Sequence, residues 1–370
     1  MRIKMVGRGG VIAALLVYLG ISVGCVLFAP PESKTDIAQK AVRVQHVGAR
    51  PTRVAGLPFR GVAMQLQRVD FMDNEYRKSI DEIVDVGADT VMFVVDSKME
   101  NGSSSRIYLD MRFTPNPEAL GGLIDYAKSK NLRVVLMPIV LLDNPRGMEW
   151  RGTIKPEDWN DWWQSYRSVL YHYSWIAELH KVDVLVVGSE LVSTETKLEE
   201  WRQTIDEVRK TFKGMITYSA NWDHYKDIPF WDQLDLISMN SYYKLGDNHN
   251  VSIEEIQRRW GDIKANLLNF QKEVGKPIVF LEVGWCSQQN AAHEPWDYTQ
   301  PDVPIDLELQ RKLYEGFFRS FHGTSWFGGF MIWEWPPGPG GPEDRNYTPE
   351  AKPAEKVLRE WLAKPRWQVQ

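Results

Sequence analysis

The feature that most constrains this chain is an alternation. From Phe59 onward eight apolar, β-branched runs recur: GVAMQLQ from Gly61, DTVMFVV from Asp89, LRVVLMPIVLL from Leu132, DVLVVGSELV from Asp183, GMITYSANW from Gly214, LDLISMNSYY from Leu234, PIVFLEVGW from Pro277 and GGFMIWEW from Gly328. Runs of this length and composition are strands buried on both faces. Most of the gaps hold helical material: EYRKSIDEIVDVG from Glu75, PEALGGLIDYAKSK from Pro117, a Trp-rich stretch from Glu157 to His180, KLEEWRQTIDEVRKTF from Lys197, a long segment from Ser252 and DLELQRKLYEGFFRSF from Asp306. The fifth and sixth runs are joined by a short connection with no clear helix.

Strands alternating with helices pair in parallel through crossover connections. Eight such units over this length predict a TIM (β/α)8 barrel, a single catalytic domain over 57–365, closed by a last helix near Ala354 to Ala363. An open doubly wound sheet is the alternative, but no glycine fingerprint follows the first strand.

Composition narrows the function. The chain of 370 residues is 43% hydrophobic and 25% charged, ordinary globular material, and its net charge of -5 comes without a clustered basic face, which argues against nucleic acid. Two cysteines, Cys25 and Cys286, make no disulfide framework. No HExxH or comparable ligand spacing occurs, so neither metal nor cofactor is expected.

Arg2, Lys4 and Arg8 precede an apolar run from Val11 to about Ala29, the order of an export signal. Residues 1–29 are read as a signal peptide or membrane anchor, and 30–56 as a linker of mixed Pro, charged and small residues. Ser22-Val23-Gly24-Cys25 is similar to a lipoprotein cleavage site, but Ser22 stands where a large aliphatic belongs, so plain export or anchoring is preferred to lipidation at Cys25. The expected location is periplasmic, extracellular or membrane-anchored, and a monomer is expected.

In a parallel barrel the site lies at the C-terminal ends of the strands. Two of the runs end on an acid there, Glu190 in VDVLVVGSELV and Glu282 in PIVFLEVGW. Strand alternation puts Val184, Val186, Gly188 and Glu190 on one face, with Gly188 leaving space beneath the carboxylate. Paired carboxylates on one rim point to glycoside hydrolysis, in which one acid protonates the leaving oxygen and the other attacks or activates water. The positive charge that develops on the sugar needs an anion on one side and a proton donor on the other.

An acid on the fourth strand and another on the seventh resemble the clan A retaining glycoside hydrolases. VVGSEL, FLEVGW and IWEW are most similar to glycoside hydrolase family 113, whose characterised activity is β-1,4-mannanase. The resemblance, over roughly Phe59 to Trp361, implies Glu190 as acid/base and Glu282 as nucleophile, with carboxyl groups roughly 5 Å apart. It implies a β-1,4-linked, mannose-containing oligo- or polysaccharide as substrate. Many clan relatives carry Asn before the acid/base to contact the sugar's 2-hydroxyl; Ser189 stands there in this chain. The resemblance also makes Tyr242 the donor to the nucleophile, with Tyr243 as fallback, and Trp333 the sugar platform.

Alternation adds Asn240 and Tyr242 on the sixth strand, Thr217, Ser219 and Asn221 on the fifth, and Gln65 and Gln67 on the first as residues able to face the site. Trp222 and Trp285 end strands and offer aromatic faces for sugar stacking. Trp150 and Trp296, in loops, can extend the cleft. Trp159, Trp162, Trp163 and Tyr166 sit at helical spacing and read as packing. Glu334 is placed away from Trp333 by alternation and reads as structural. Alternatives are a β-glucan or other β-glycan hydrolase, a transglycosylase on the same residues, or a non-catalytic glycan-binding barrel.

Overall fold

The computed structural model describes residues 56–369. The expected N-terminal segment, and the linker up to its last residue, lie outside them. Eight parallel strands close into one barrel in chain order, each neighbour paired with the next and β8 with β1. The strands are β1 (Phe59–Gln65), β2 (Thr90–Met99), β3 (Arg133–Leu142), β4 (Val184–Ser189), β5 (Met215–Ala220), β6 (Ile237–Asn240), β7 (Ile278–Val283) and β8 (Phe327–Ile332). Seven α-helices appear among the described residues: α1 (Glu75–Asp85), α2 (Pro117–Ser129), α3 (Trp159–Leu179), α4 (Leu198–Thr211), α5 (Ile253–Val274), α6 (Leu307–Phe321) and the closing α7 (Pro353–Leu362). Between β5 and β6 the chain makes only two 3-10 turns, Tyr225–Asp227 and Trp231–Gln233. Phe230 from this connection stacks on Trp201 of α4 at 4.9 Å and fills the place a helix would take.

Alternation along the strands divides the core in two. Phe59, Ala63, Met92, Val94, Val135, Met137, Val184, Val186, Val279, Leu281 and Met331 fill the barrel's interior. Their neighbours Val62, Val91, Phe93, Val134, Leu136, Leu185, Val187, Ile278 and Phe280 pack outward against the helices. Trp162, Trp163 and Tyr166 of α3 lie in that outer layer, with Trp162 and Tyr166 stacked at 5.0 Å. At the C-terminal end of the interior the apolar filling gives way to Gln65, Asp96, Ser219, Asn240 and the residues of the site. No described helix is long and apolar enough to cross a membrane.

Three strands break the alternation, β4, β7 and β8, and the breaks in β4 and in β7 against β6 lie beside the acids. Between Val186 and Ser189 β4 carries one more residue than β5, and β7 carries one more than β6 between Phe280 and Glu282. Each is a β-bulge, which re-aims the side chain that comes after it. Gly188 therefore does not share a face with Glu190 as regular alternation predicts. A Cβ on Gly188 would point outward, 2.8 Å from the Trp201 ring and 2.9 Å from Tyr166 Oη and the Tyr218 ring. These three side chains are fully or nearly fully buried and packed on one another, so they have little room to yield. Gly188→Ala is expected to destabilise the barrel by about 1–3 kcal/mol through overpacking, read as a lower urea midpoint with an unchanged m-value.

Candidate active site

Glu190 follows the β4 bulge in the left-handed backbone region, with φ 54°, a conformation uncommon for a side chain larger than Asn. Its amide donates to the Ser219 carbonyl at 2.9 Å, fixing the turn to β5. One carboxylate oxygen accepts from Asn240 Nδ2 and the other from Arg151 Nη2. Asn240, fully buried, also donates to Asn221 Oδ1 at 2.8 Å and accepts from the Trp222 amide at 3.0 Å. Asn240 thus ties the ends of β4, β5 and β6 together and holds Glu190; it does not itself line the cleft.

Glu282 is 5% exposed and accepts from the Tyr242 hydroxyl at 2.8 Å. Ser241, through its amide at 2.8 Å and its hydroxyl at 2.9 Å, donates to the Glu282 carbonyl. Gly284 comes next because the backbone of Trp333 passes there: a Cβ would lie 2.0 Å from the Trp333 carbonyl oxygen. Burial first, then the nearby charge of Glu190, raise the Glu282 pKa, while Arg151 and the Tyr242 hydrogen bond act in the opposite direction.

Both carboxylates open on one cavity of about 890 Å³, lined also by Gln65, Gln67, Trp150, Arg151, Asn221, Trp222, Tyr242, Trp296, Trp333, Glu334 and Pro336. Trp222 and Trp296 stack on each other at 6.1 Å and 19°, and Trp296 is 47% exposed. A polar chain also runs along the rim. Gln65 Nε2 donates to Glu334 at 2.9 Å, and Gln67 Nε2 donates to Gln65 at 3.0 Å and to Asp96 at 3.3 Å. Burial pushes Glu334 up to about 7.

Several expected positions fall elsewhere. Glu334 lines the cleft beside Trp333: β8 ends at Ile332, and alternation does not extend past the strand. Trp285 is 1% exposed and packs on Tyr314 and Phe317 of α6, away from the cleft, because the bulge in β7 also reverses the face of the residues after it. Ser189 is buried, its hydroxyl without a partner among the described residues, and does not reach the cavity, while Asn221 does. Tyr243 faces Trp222 and Trp260. Thr217 and Ser219 lie fully buried below the cavity, Thr217 bonded to Ser238 at 2.8 Å. Cys286 is a buried free thiol packed with Tyr242 and Tyr347.

Arg151 was not among the sequence-derived candidates. It sits in a 3-10 turn, Arg151–Thr153, where no strand or helix period marks a direction. Its one signal is adjacency to Trp150 in the loop after the third strand. Among the described residues no three His, Cys, Asp or Glu side chains come together as metal ligands would.

A closed parallel barrel whose C-terminal rim holds two facing acids in an aromatic-walled cleft is the architecture of a glycoside hydrolase. The sequence model of Glycoside Hydrolase Family 113 matches residues 62–348, and the chain belongs to that family. A GH113 β-1,4-mannanase structure superposes with TM-score 0.76 at 26% identity, covering 84% of this chain and 100% of that one. The β-mannanase of Alicyclobacillus acidocaldarius, in complex with ManMIm, gives TM-score 0.75 at 29% identity, covering 84% and 98%. A Family 5 mannosidase of Rhizomucor miehei, at 12% identity, TM-score 0.56 and coverage of 82% and 92%, shares the fold. No curated protein sequence matches the chain significantly.

Proposed function

We propose that the chain is a retaining β-1,4-mannanase in which Glu282 attacks the anomeric carbon and Glu190 protonates the leaving oxygen, then deprotonates the incoming water. The observation that carries this reading is the convergence of Glu190 and Glu282 on one cavity, with the Tyr242 hydroxyl donating to Glu282. The substrate is inferred from the β-mannanases that the chain resembles.

The double displacement needs Glu282 ionised and Glu190 protonated as a glycan binds. Before binding, burial first and then the neighbouring Glu190 favour the protonated form of Glu282. Positive charge developing on the bound sugar favours the Glu282 anion. Attack then forms the glycosyl–Glu282 ester while the Glu190 proton leaves on the aglycone oxygen. Water, giving its proton to Glu190, releases the sugar with its β-configuration retained.

Trp333 and the Trp222–Trp296 pair offer flat faces to sugar rings, and Asn221, Gln65 and Glu334 offer hydrogen bonds to hydroxyls. A basic stretch ahead of an apolar run in 1–29 supports export or tethering, where polymeric glycans are met.

The test is sugar release from mannan, glucomannan, β-glucan and xylan, with the anomer first formed monitored by proton NMR. Release from the mannans, appearing first as the β-anomer, is expected. Initial α-product would remove the double displacement, and release from β-glucan or xylan alone would replace the substrate.

A further inference from the structure

Beyond Tyr298 the cleft does not end. A second cavity of about 420 Å³ opens there, within the size range of small-ligand sites. Tyr298, Asp344 and Asn346 line both cavities, so the two share a wall. We propose that this pocket is a distal subsite that takes a further sugar unit of the β-1,4-linked glycan held in the cleft; the proposal rests on the glycan reading above.

The chemistry of its lining fits a sugar. Tyr298 is 61% exposed and leans on Tyr347 at 6.3 Å, presenting a ring face at the junction. Gln288, 1% exposed, lines the pocket, and its Oε1 accepts no hydrogen bond among the described residues. A buried amide oxygen in that condition calls for a donor, and a sugar hydroxyl supplies one. Glu343 and Asp344 add carboxylate acceptors. The Arg345 guanidinium is turned to the backbone, its Nη2 donating to the carbonyls of Gln300, at 3.1 Å, and Val303.

The walls are also preformed. Lys352, buried between the loops after β7 and β8, donates to Asp344 at 2.6 Å, the Ser287 hydroxyl at 3.0 Å and the Asn346 carbonyl at 3.1 Å. Gln288 Nε2 donates to the Arg345 carbonyl at 3.2 Å, and Tyr347 Oη to the Pro295 carbonyl at 2.7 Å. Loops locked to each other in this way lose little entropy when a ligand arrives.

The test uses the full chain carrying Glu282→Gln, which binds without turnover, titrated calorimetrically with mannobiose, mannotriose and mannohexaose. Two additions probe the pocket: Tyr298→Ala removes the ring, and Thr299→Trp fills the space. Both positions lie at the surface, and thermal melts confirm the fold. The expected result is that each addition weakens mannohexaose by about tenfold relative to its effect on mannobiose, the size of one stacked ring. Losses equal for all three oligomers, or no loss, overturn the distal subsite while leaving the glycan reading in place. Binding of none of the three overturns both together.

Discussion

Glu282→Ala is expected to lower turnover of the natural glycan by about four orders of magnitude or more, the scale on which covalent nucleophiles are lost. The fold should survive, because removing a buried carboxyl that is costly to ionise relieves a desolvation cost and leaves Tyr242 with one lost contact. The informative readout is rescue. Azide entering the vacated space should attack an activated aryl mannoside from the side the carboxylate occupied and yield the α-mannosyl azide, inverted. A β-azide, or an unrescued variant retaining substantial activity, would take the nucleophile's role from Glu282. Labelling by a mechanism-based fluorosugar should likewise fall on Glu282 and vanish in the variant.

Loss of Glu190 should separate substrates by their leaving groups. Natural glycans need protonation of the departing oxygen and should lose about 10²–10⁴-fold, whereas an aryl mannoside with a good leaving group should form its glycosyl-enzyme at a much less reduced rate. Hydrolysis of that intermediate then becomes slow, because no base activates water, and the glycosyl-enzyme should accumulate. Azide should restore this second step and give the β-azide, opposite in configuration to the Glu282→Ala product. Equal losses on both substrates would sink the assignment. Glu190→Gln is the better variant to begin with: Glu190→Ala strands the largely buried Arg151 guanidinium, and an uncompensated buried charge costs about 3–5 kcal/mol.

Much of the barrel was legible because the strands are largely apolar and most crossovers carry an amphipathic helix; the missing helix between β5 and β6 showed as a short, unpatterned connection. The two acids were legible for a related reason. A charged residue closing an apolar run cannot be core, and in a parallel barrel the place left for it is the rim. Which side chains the rim turns inward showed only in part: Gln65, Gln67, Asn221, Tyr242 and Trp333 line the cleft, while others do not follow the alternation. Alternation carries information only while pairing is regular, so Trp285, Glu334 and Gly188, all beside irregular backbone, were each put on the wrong side. Arg151 lay out of reach for a different reason: its place beside Glu190 is set by a loop meeting a strand end from 39 residues away, a tertiary fact with no local pattern.

The extra residue in β4 and its counterpart in β7 matter to anyone who would build this chemistry elsewhere. Copying the two glutamates onto a barrel of regular strands would transplant their identity without their aim: after Leu281 an uninterrupted pleat sends the β7 acid to the helical shell, and the β4 acid sits in a left-handed turn that no regular strand supplies. The unit that an engineer must graft is a backbone hitch together with the acid it turns inward.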